Sequence, residues 1–251
     1  MPISPHPKPR ELTTASMCTM RYPLADIAEV DDDIRDHILA VSEKSGFVPN
    51  VFLSLARRPA EFRAFFAYYD ALMEKETGSL TKADREMIVT ATSAVNNCLY
   101  CVVAHGALLR IYAKDPYIAD QVALDYAHAD ITPRQKAMLD FAMKVCREPW
   151  TIADADYAEL AAHGFDDEDA WDIAAITGFF GLSNRMAQVA GMRPNPEFHL
   201  LGRLPREKPT EDASTDDREA ETTAPGATAS ETSAPESQAP ETSAPDEASG
   251  R

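Results

Sequence analysis

The sequence predicts an all-α protein, and three observations carry that prediction. Apolar residues recur at steps of three and four along the body of the chain, as in Phe62, Phe65, Phe66, Tyr69, Leu72 and Met73, the spacing of one helix face. Residues that suit helix caps, among them Thr81, Asp115 and Thr132, stand at the head of several such runs. Alternating apolar and polar runs joined by hairpin turns, the signature of strands, do not occur.

The elements follow in order. Asp31–Ser45 carries Ile34, Ile38, Leu39 and Val41 at near-helical spacing. In GFVPNVFLSLARRP, Gly46 and Pro49 break the pattern and Val51, Phe52 and Leu55 begin a short helix. Pro59–Glu76 holds the Phe/Tyr stripe. Thr81 with Asp84 three residues on reads as a capping box, opening a helix through Met87, Ile88, Ala91, Ala94 and Val95. Asn96-Asn97 interrupts it and can cap a new helix starting near Cys98. Further helices fit Pro116–Ala127 with Asp115 as cap, Thr132–Cys146 with Pro133 at its first position, Ile152–Ala162, and a run from Asp166 to about Gly191. Trp150 and Trp171 are expected as core anchors. Leu80–Ile88 and Phe165–Ile173 match in pattern at an offset of 85 residues, the mark of a degenerate helix-pair repeat in which Ser183 stands opposite Cys98 and Ala190 opposite His105.

The ends differ from the body. Residues 1–21 are Pro-rich and patternless and are expected to form a flexible segment, leaving 22–205 as the folded domain. From 206 onward the text becomes acidic and rich in Pro, Ser, Thr and Ala, with Glu-Thr-Thr/Ser-Ala-Pro beginning at Glu221, Glu231 and Glu241. That tail has no aromatic or large aliphatic residue, so burial cannot offset chain entropy and disorder is expected. It contributes −8 of the net charge of −17, leaving −9 for the rest. Such a balance argues against a nucleic-acid partner, because phosphates need a basic surface. No apolar run approaches the roughly 18–20 residues of a membrane span, and MPISPHPKPRELTTAS lacks the apolar core of a signal peptide. With only four cysteines, no disulfide framework is implied, and a cytoplasmic location is the expectation.

Chemistry concentrates in NNCLYCVVAH, residues 96–105. On a helix, Cys98, Cys101 and His105 fall within about 60° of one another, and Cys101 and His105 are i, i+4 neighbours. A thiolate is the nucleophilic form of cysteine, so a thiol with an ordinary pKa of about 8.5 needs a base or a helix amino terminus beside it. His105 can take the Cys101 proton, while the positive end of a helix starting near Asn97 favours a thiolate at Cys98. Which sulfur attacks first stays open on these residues. Structural zinc would need a second Cys/His pair, and Cys18 and Cys146 are isolated. Covalent haem needs Cys-x-x-Cys-His, whereas three residues here separate Cys101 from His105. The competing structural role is a pair of cysteines packed in a core as small hydrophobes. The remaining histidines, His6, His37, His128, His163 and His199, have no partner pattern and are expected in packing or surface roles.

Glu86-x11-Cys98-x-Tyr100-Cys101-x3-His105 resembles the active-site pattern of the alkylhydroperoxidase D family, within the carboxymuconolactone decarboxylase superfamily. GFVPNVFLSLARRP and FFGLSNRMAQVAG are similar to its uncharacterised peroxidase-related branch, and the likeness spans about residues 22–200. The resemblance implies an all-α, homo-oligomeric fold and thiol-based hydroperoxide reduction without haem, flavin or metal. It implies a dithiol reductant, a lipoylated protein in the best-known members. It also assigns roles: Glu86 and His105 as a proton relay, Cys98 and Cys101 as the redox pair, Tyr100 as a supporting residue.

The expected reaction has Cys101 attack the peroxide and Cys98 condense with the resulting sulfenic acid. A lactone-acid decarboxylase acting through His105, and a non-catalytic thiol redox sensor or interaction module, are the alternatives. Removal of residues 206–251 is expected to leave fold and activity intact. A large fall in melting temperature on truncation would show instead that the tail is docked.

Overall fold

A computed structural model of the chain describes residues 21–203. Nearly all of the flexible segment expected at 1–21, and the acidic tail expected from 206, lie outside them. Among these residues, nine α-helices follow one another: α1 Asp32–Ser45, α2 Asn50–Ala56, α3 Pro59–Met73, α4 Lys82–Val95, α5 Leu99–Ala113, α6 Ile118–Asp125, α7 Pro133–Arg147, α8 Asp154–Ala162 and α9 Asp167–Ala190. No strand occurs among the described residues, and no helix there is long and apolar enough to cross a membrane. The all-α reading is correct.

Helix starts follow local chemistry. Thr81 Oγ1 accepts from the Asp84 backbone N–H at 3.1 Å while Asp84 accepts from the Thr81 N–H at 3.0 Å, so two otherwise orphaned donors are satisfied. Thr132 with Gln135 repeats this, Pro133 filling the first position of α7, and so does Asp166 with Asp169. Gly46 and Gly191 close α1 and α9 in the left-handed conformation, φ +84° and +66°. The two boxes at Thr81 and Asp166 keep the offset of 85. Beyond them the echo ends: α4 breaks at Asn96, whereas α9 runs unbroken for 24 residues. The repeat is a matched helix start, not a helix pair.

Some boundaries moved. The third helix stops at Met73, three residues before Glu76, because Glu74 leaves helical geometry ahead of the loop through Gly78. The sixth starts at Ile118 with Tyr117 as its cap, since Asp115 spends its carboxylate on the Tyr117 N–H (2.8 Å). The eighth starts at Asp154, because Pro149–Thr151 forms a separate 3₁₀ turn. Trp150 and Trp171 are surface residues, 79% and 72% exposed. Trp150 sits in that 3₁₀ turn and Trp171 on the outer face of α9.

Helix α4 runs through the middle of the body, buried from Asp84 to Ser93, with α5, α6, α7 and α9 around it. A second cluster lies beside that core, where α1, α2 and α3 stack Phe52, Phe62 and Phe66 around His37. The third cluster holds Cys98, Tyr100 and Cys101 with Ala187, Met192 and Phe198. Phe198 is carried by a closing 3₁₀ turn, Pro196–His199. Arg110 fastens that segment to α5, donating to the Phe198 carbonyl at 2.8 Å and the Leu201 carbonyl at 2.9 Å.

The apolar runs Phe62–Met73 and Ile173–Phe180 bury most of their large residues inside the chain. Apolar surface remains along one face of α9, at Trp171, Leu182, Met186 and Val189. Self-association through this face would remove apolar area from water. Light scattering at micromolar concentration is expected to give a mass above that of the monomer, and Leu182→Asp to lower it. A monomeric mass for the unaltered chain refutes the expectation.

Candidate active site

The site is made by the turn between α4 and α5. Asn96 and Asn97 donate to the Thr92 and Ala94 carbonyls (3.1 and 3.0 Å), and the Cys98 N–H reaches the Ser93 carbonyl at 3.0 Å. These bonds satisfy the last carbonyls of α4. Asn97 takes φ +54°, a left-handed conformation that asparagine tolerates better than most residues. Cys98, rather than either asparagine, is the cap of α5. The tight reversal lays α5 back along α4, so residues on either side of the turn face each other.

Glu86 and His105 meet across that interface. His105 Nδ1 lies 2.7 Å from Glu86 Oε2, and the side chains are 12% and 4% exposed. A carboxylate buried so deeply needs a charged or hydrogen-bonding partner, and the imidazole supplies it. Phe180 of α9 stands edge-on to the His105 ring, centroids 4.6 Å apart at 79°. The ring is therefore held on two sides. With Nδ1 engaged by Glu86, proton exchange with the thiols falls to Nε2.

Both cysteines are buried and both are free thiols. Their acidities diverge. The neighbouring Cys101 thiol brings the Cys98 pKa down to about 7; burial opposes this, and the Cys101 and Tyr100 backbone N–H groups and the His105 charge assist it. Cys101 is pushed up, first by the Cys98 thiol and then by burial, against polar contacts from Asn184 and Ser183. The pair thus behaves as one acid that sheds its first proton near neutrality and holds its second. Of the two thiols, Cys98 is the one pushed toward greater acidity.

The two sulfurs look out in different directions. Cys101 and His105 line a cavity of about 520 Å³ whose walls include Phe66, Tyr69, Phe180 and Ser183. Cys98 lines a smaller hollow of about 180 Å³ with Asn97, Gln188, Met192 and Arg193. Tyr100 borders both hollows, and its hydroxyl accepts the Val51 N–H at 3.2 Å, tying the first turn of α2 to the first turn of α5. Cys146 lies on α7, its sulfur 4.0 Å from Asn96 Oδ1. Cys18 and His6 fall outside the described residues. Among those residues, no three His, Cys, Asp or Glu side chains are grouped to hold a metal ion.

Glu86, Cys98, Cys101 and His105 lie in one neighbourhood around the α4–α5 turn, with Tyr100 a strut between helices. Phe180, Ser183 and Asn184 were not picked out from the sequence. They lie about eighty residues downstream, and only the offset of 85, which set Ser183 opposite Cys98, hinted at α9. His37 was expected in packing; it packs on three phenylalanines and also lines the far part of the larger cavity.

Residues 59–142 match the Carboxymuconolactone decarboxylase family. The chain is 67% identical to the alkylhydroperoxidase AhpD core of Ralstonia eutropha JMP134, an uncharacterized peroxidase-related protein. That match covers 74% of this chain and 98% of the other, with a TM-score of 0.73. An uncharacterized peroxidase-related protein from Silicibacter sp. TM1040 is 40% identical over 79% of this chain and 100% of its own, with a TM-score of 0.69. The debrominase Bmp8 shares the fold at 18% identity, over 68% of this chain and 90% or nearly so of its own, with a TM-score of 0.58. A comparison with curated proteins gives no match.

Site-resolved alkylation with iodoacetamide should find Cys98 half-reactive near pH 7, well below an ordinary thiol. Glu86→Gln removes the carboxylate in contact with His105 Nδ1. The Cys98 midpoint should then move up, because one of the charges favouring its thiolate is weakened. An unmoved midpoint would disconnect Glu86 from the thiols.

Proposed function

The chain belongs to the alkylhydroperoxidase D-like family of the carboxymuconolactone decarboxylase superfamily, and from that premise we propose that it reduces hydroperoxides through Cys98 and Cys101. One observation carries the reading: a thiol pair that ionises near neutrality stands beside a buried Glu86–His105 couple at the edge of a cavity of about 520 Å³. A core packing role for the cysteines would call for none of this acid–base machinery.

The steps follow from the positions. The first proton of the pair resides on His105, backed by Glu86, leaving a thiolate on Cys98. Cys101 faces the larger cavity, so hydroperoxide meets it there, once the Cys101 proton has passed to Cys98. The Cys101 thiolate attacks the terminal peroxide oxygen: an S–O bond forms, the O–O bond breaks, and the leaving alkoxide takes the His105 proton to become an alcohol. Sulfur is oxidised to sulfenic acid by two electrons. Cys98 then gives its proton to His105 and attacks the Cys101 sulfur. The S–S bond forms as the hydroxide departs, protonated by His105 to water. In sum, one hydroperoxide and two thiols become an alcohol, water and a disulfide. An external dithiol, for which a lipoylated protein is the candidate carrier, restores the thiols by exchange. The separate opening at Cys98 offers that reductant a way to a sulfur without passing through the substrate cavity.

One equivalent of hydroperoxide should yield a Cys98–Cys101 disulfide by mass spectrometry, with Cys18 and Cys146 unmodified. In Cys98→Ser, a sulfenic-acid trap should label Cys101. Both Cys98→Ser and Cys101→Ser should lose dithiol-driven turnover. His105→Ala and Glu86→Gln should each slow it about 10²-fold, the scale of a lost general acid–base group, and non-additively, since both lie on one proton path. Full multiple turnover by Cys98→Ser would end the two-cysteine mechanism. If neither thiol reacts while His105 is required for decarboxylation of a lactone acid, the decarboxylase reading replaces this one.

A further inference from the structure

The redox pair belongs to the α4–α5 turn, yet a hydroxyl reaches it from α9. Ser183 Oγ lies 3.9 Å from Cys101 Sγ. The Ser183 side chain is buried and lines the cavity that Cys101 and His105 share. Resting on the thiol-peroxidase reading, we propose that Ser183 is a further catalytic residue: its hydroxyl donates a hydrogen bond to the Cys101 sulfur when that sulfur is a thiolate, and keeps it aimed into the cavity.

Three observations support the assignment. The first is the direction of the hydroxyl. Serine and threonine inside a helix commonly return their hydroxyl to the carbonyl four residues back. Thr177, six residues earlier in α9, does so, bonding the Ile173 carbonyl at 2.8 Å, whereas Ser183 is turned to sulfur. Either group can donate while Cys101 is a thiol, but a thiolate can only accept. The contact therefore favours the charged form.

The second is how firmly the hydroxyl is placed. The adjacent Asn184 is fully buried; it donates to Ser93 Oγ at 2.9 Å and accepts from Asn96 Nδ2 at 2.9 Å. Gln188, one turn on, donates to the Asn96 carbonyl. These bonds tie α9 to the last turn of α4, immediately before the bend that carries the cysteines. The third is electrostatic. Cys98 and burial raise the Cys101 pKa, and Ser183 is among the groups acting the other way. The other titratable groups around Cys101 are Cys98, His105 with Glu86 behind it, and the Tyr100 phenol. None of them is on α9.

Ser183 neither loses nor gains a proton in the cycle. Its effect is on the fraction of Cys101 available for attack, which the Cys98→Ser background isolates. There, the pH dependence of iodoacetamide labelling at the Cys101 peptide reports the ionisation of Cys101 alone. Ser183→Ala should raise that midpoint by about one unit, the tenfold expected on losing one hydrogen bond to a charged group. Single-turnover oxidation by hydroperoxide at neutral pH should slow about tenfold. Ser183→Thr, which keeps the hydroxyl, should hold the midpoint of the parent. An Ser183→Ala midpoint equal to the parent's, in a protein that still reacts with hydroperoxide, overturns the role of Ser183 alone. A raised midpoint in a protein whose Cys101 never reacts with hydroperoxide overturns the peroxidase reading and, with it, the catalytic role.

Discussion

A single buried contact between Glu86 and His105 sets the frame of this molecule. Glu86 sits in the middle of α4, the most enclosed helix, with its side chain 4% exposed. Removing a carboxylate from water costs several kcal/mol unless a partner compensates, on the order of the penalties known for buried ions. His105 is that partner, at 2.7 Å. The bond requires α5 to lie along α4 in one register, and the reversal at Asn96-Asn97 delivers it. Slip either helix by a turn and the carboxylate loses its partner and the imidazole its orientation.

From that register the properties of the thiols follow. Cys98, as the cap of α5, receives the influence of the helix amino terminus, of the neighbouring thiol and of His105. Cys101, one turn further in, is exposed to the larger cavity and to α9 instead. Two chemically identical side chains three residues apart thereby acquire different acidities and different neighbours. That asymmetry is what a sequential attack and resolution needs, and a symmetric pair of packed cysteines would lack it.

The cavity itself is assembled from parts remote in sequence. Phe66 and Tyr69 come from α3, Phe180 and Ser183 from α9, and Phe198 from the closing 3₁₀ turn held by Arg110. Its walls carry several aromatic rings, and the apolar surroundings strengthen the charges and hydrogen bonds beside them. Asp70 and Glu74 also line this chamber, Glu74 paired with Lys82 at 2.7 Å.

Local chemistry decided much of this and was open to reading along the chain. The capping boxes at Thr81 and Thr132, and the break at Asn96-Asn97, depend on atoms within four residues of one another, so spacing alone announces them. The face shared by Cys98, Cys101 and His105 follows from the helical period in the same way. Where a nearby side chain had a competing partner, the reading failed: Asp115 turned to the Tyr117 N–H instead of capping α6. Trp150 and Trp171 were misjudged because bulk and apolarity do not say which face of an element meets the core. The tertiary structure alone decided that Cys101 lines the larger of the two hollows, and that Phe180, Ser183 and Asn184 stand around it. Those properties arise from groups eighty residues apart meeting across α4, α5 and α9, and a contact of that range leaves no periodic trace in a single sequence.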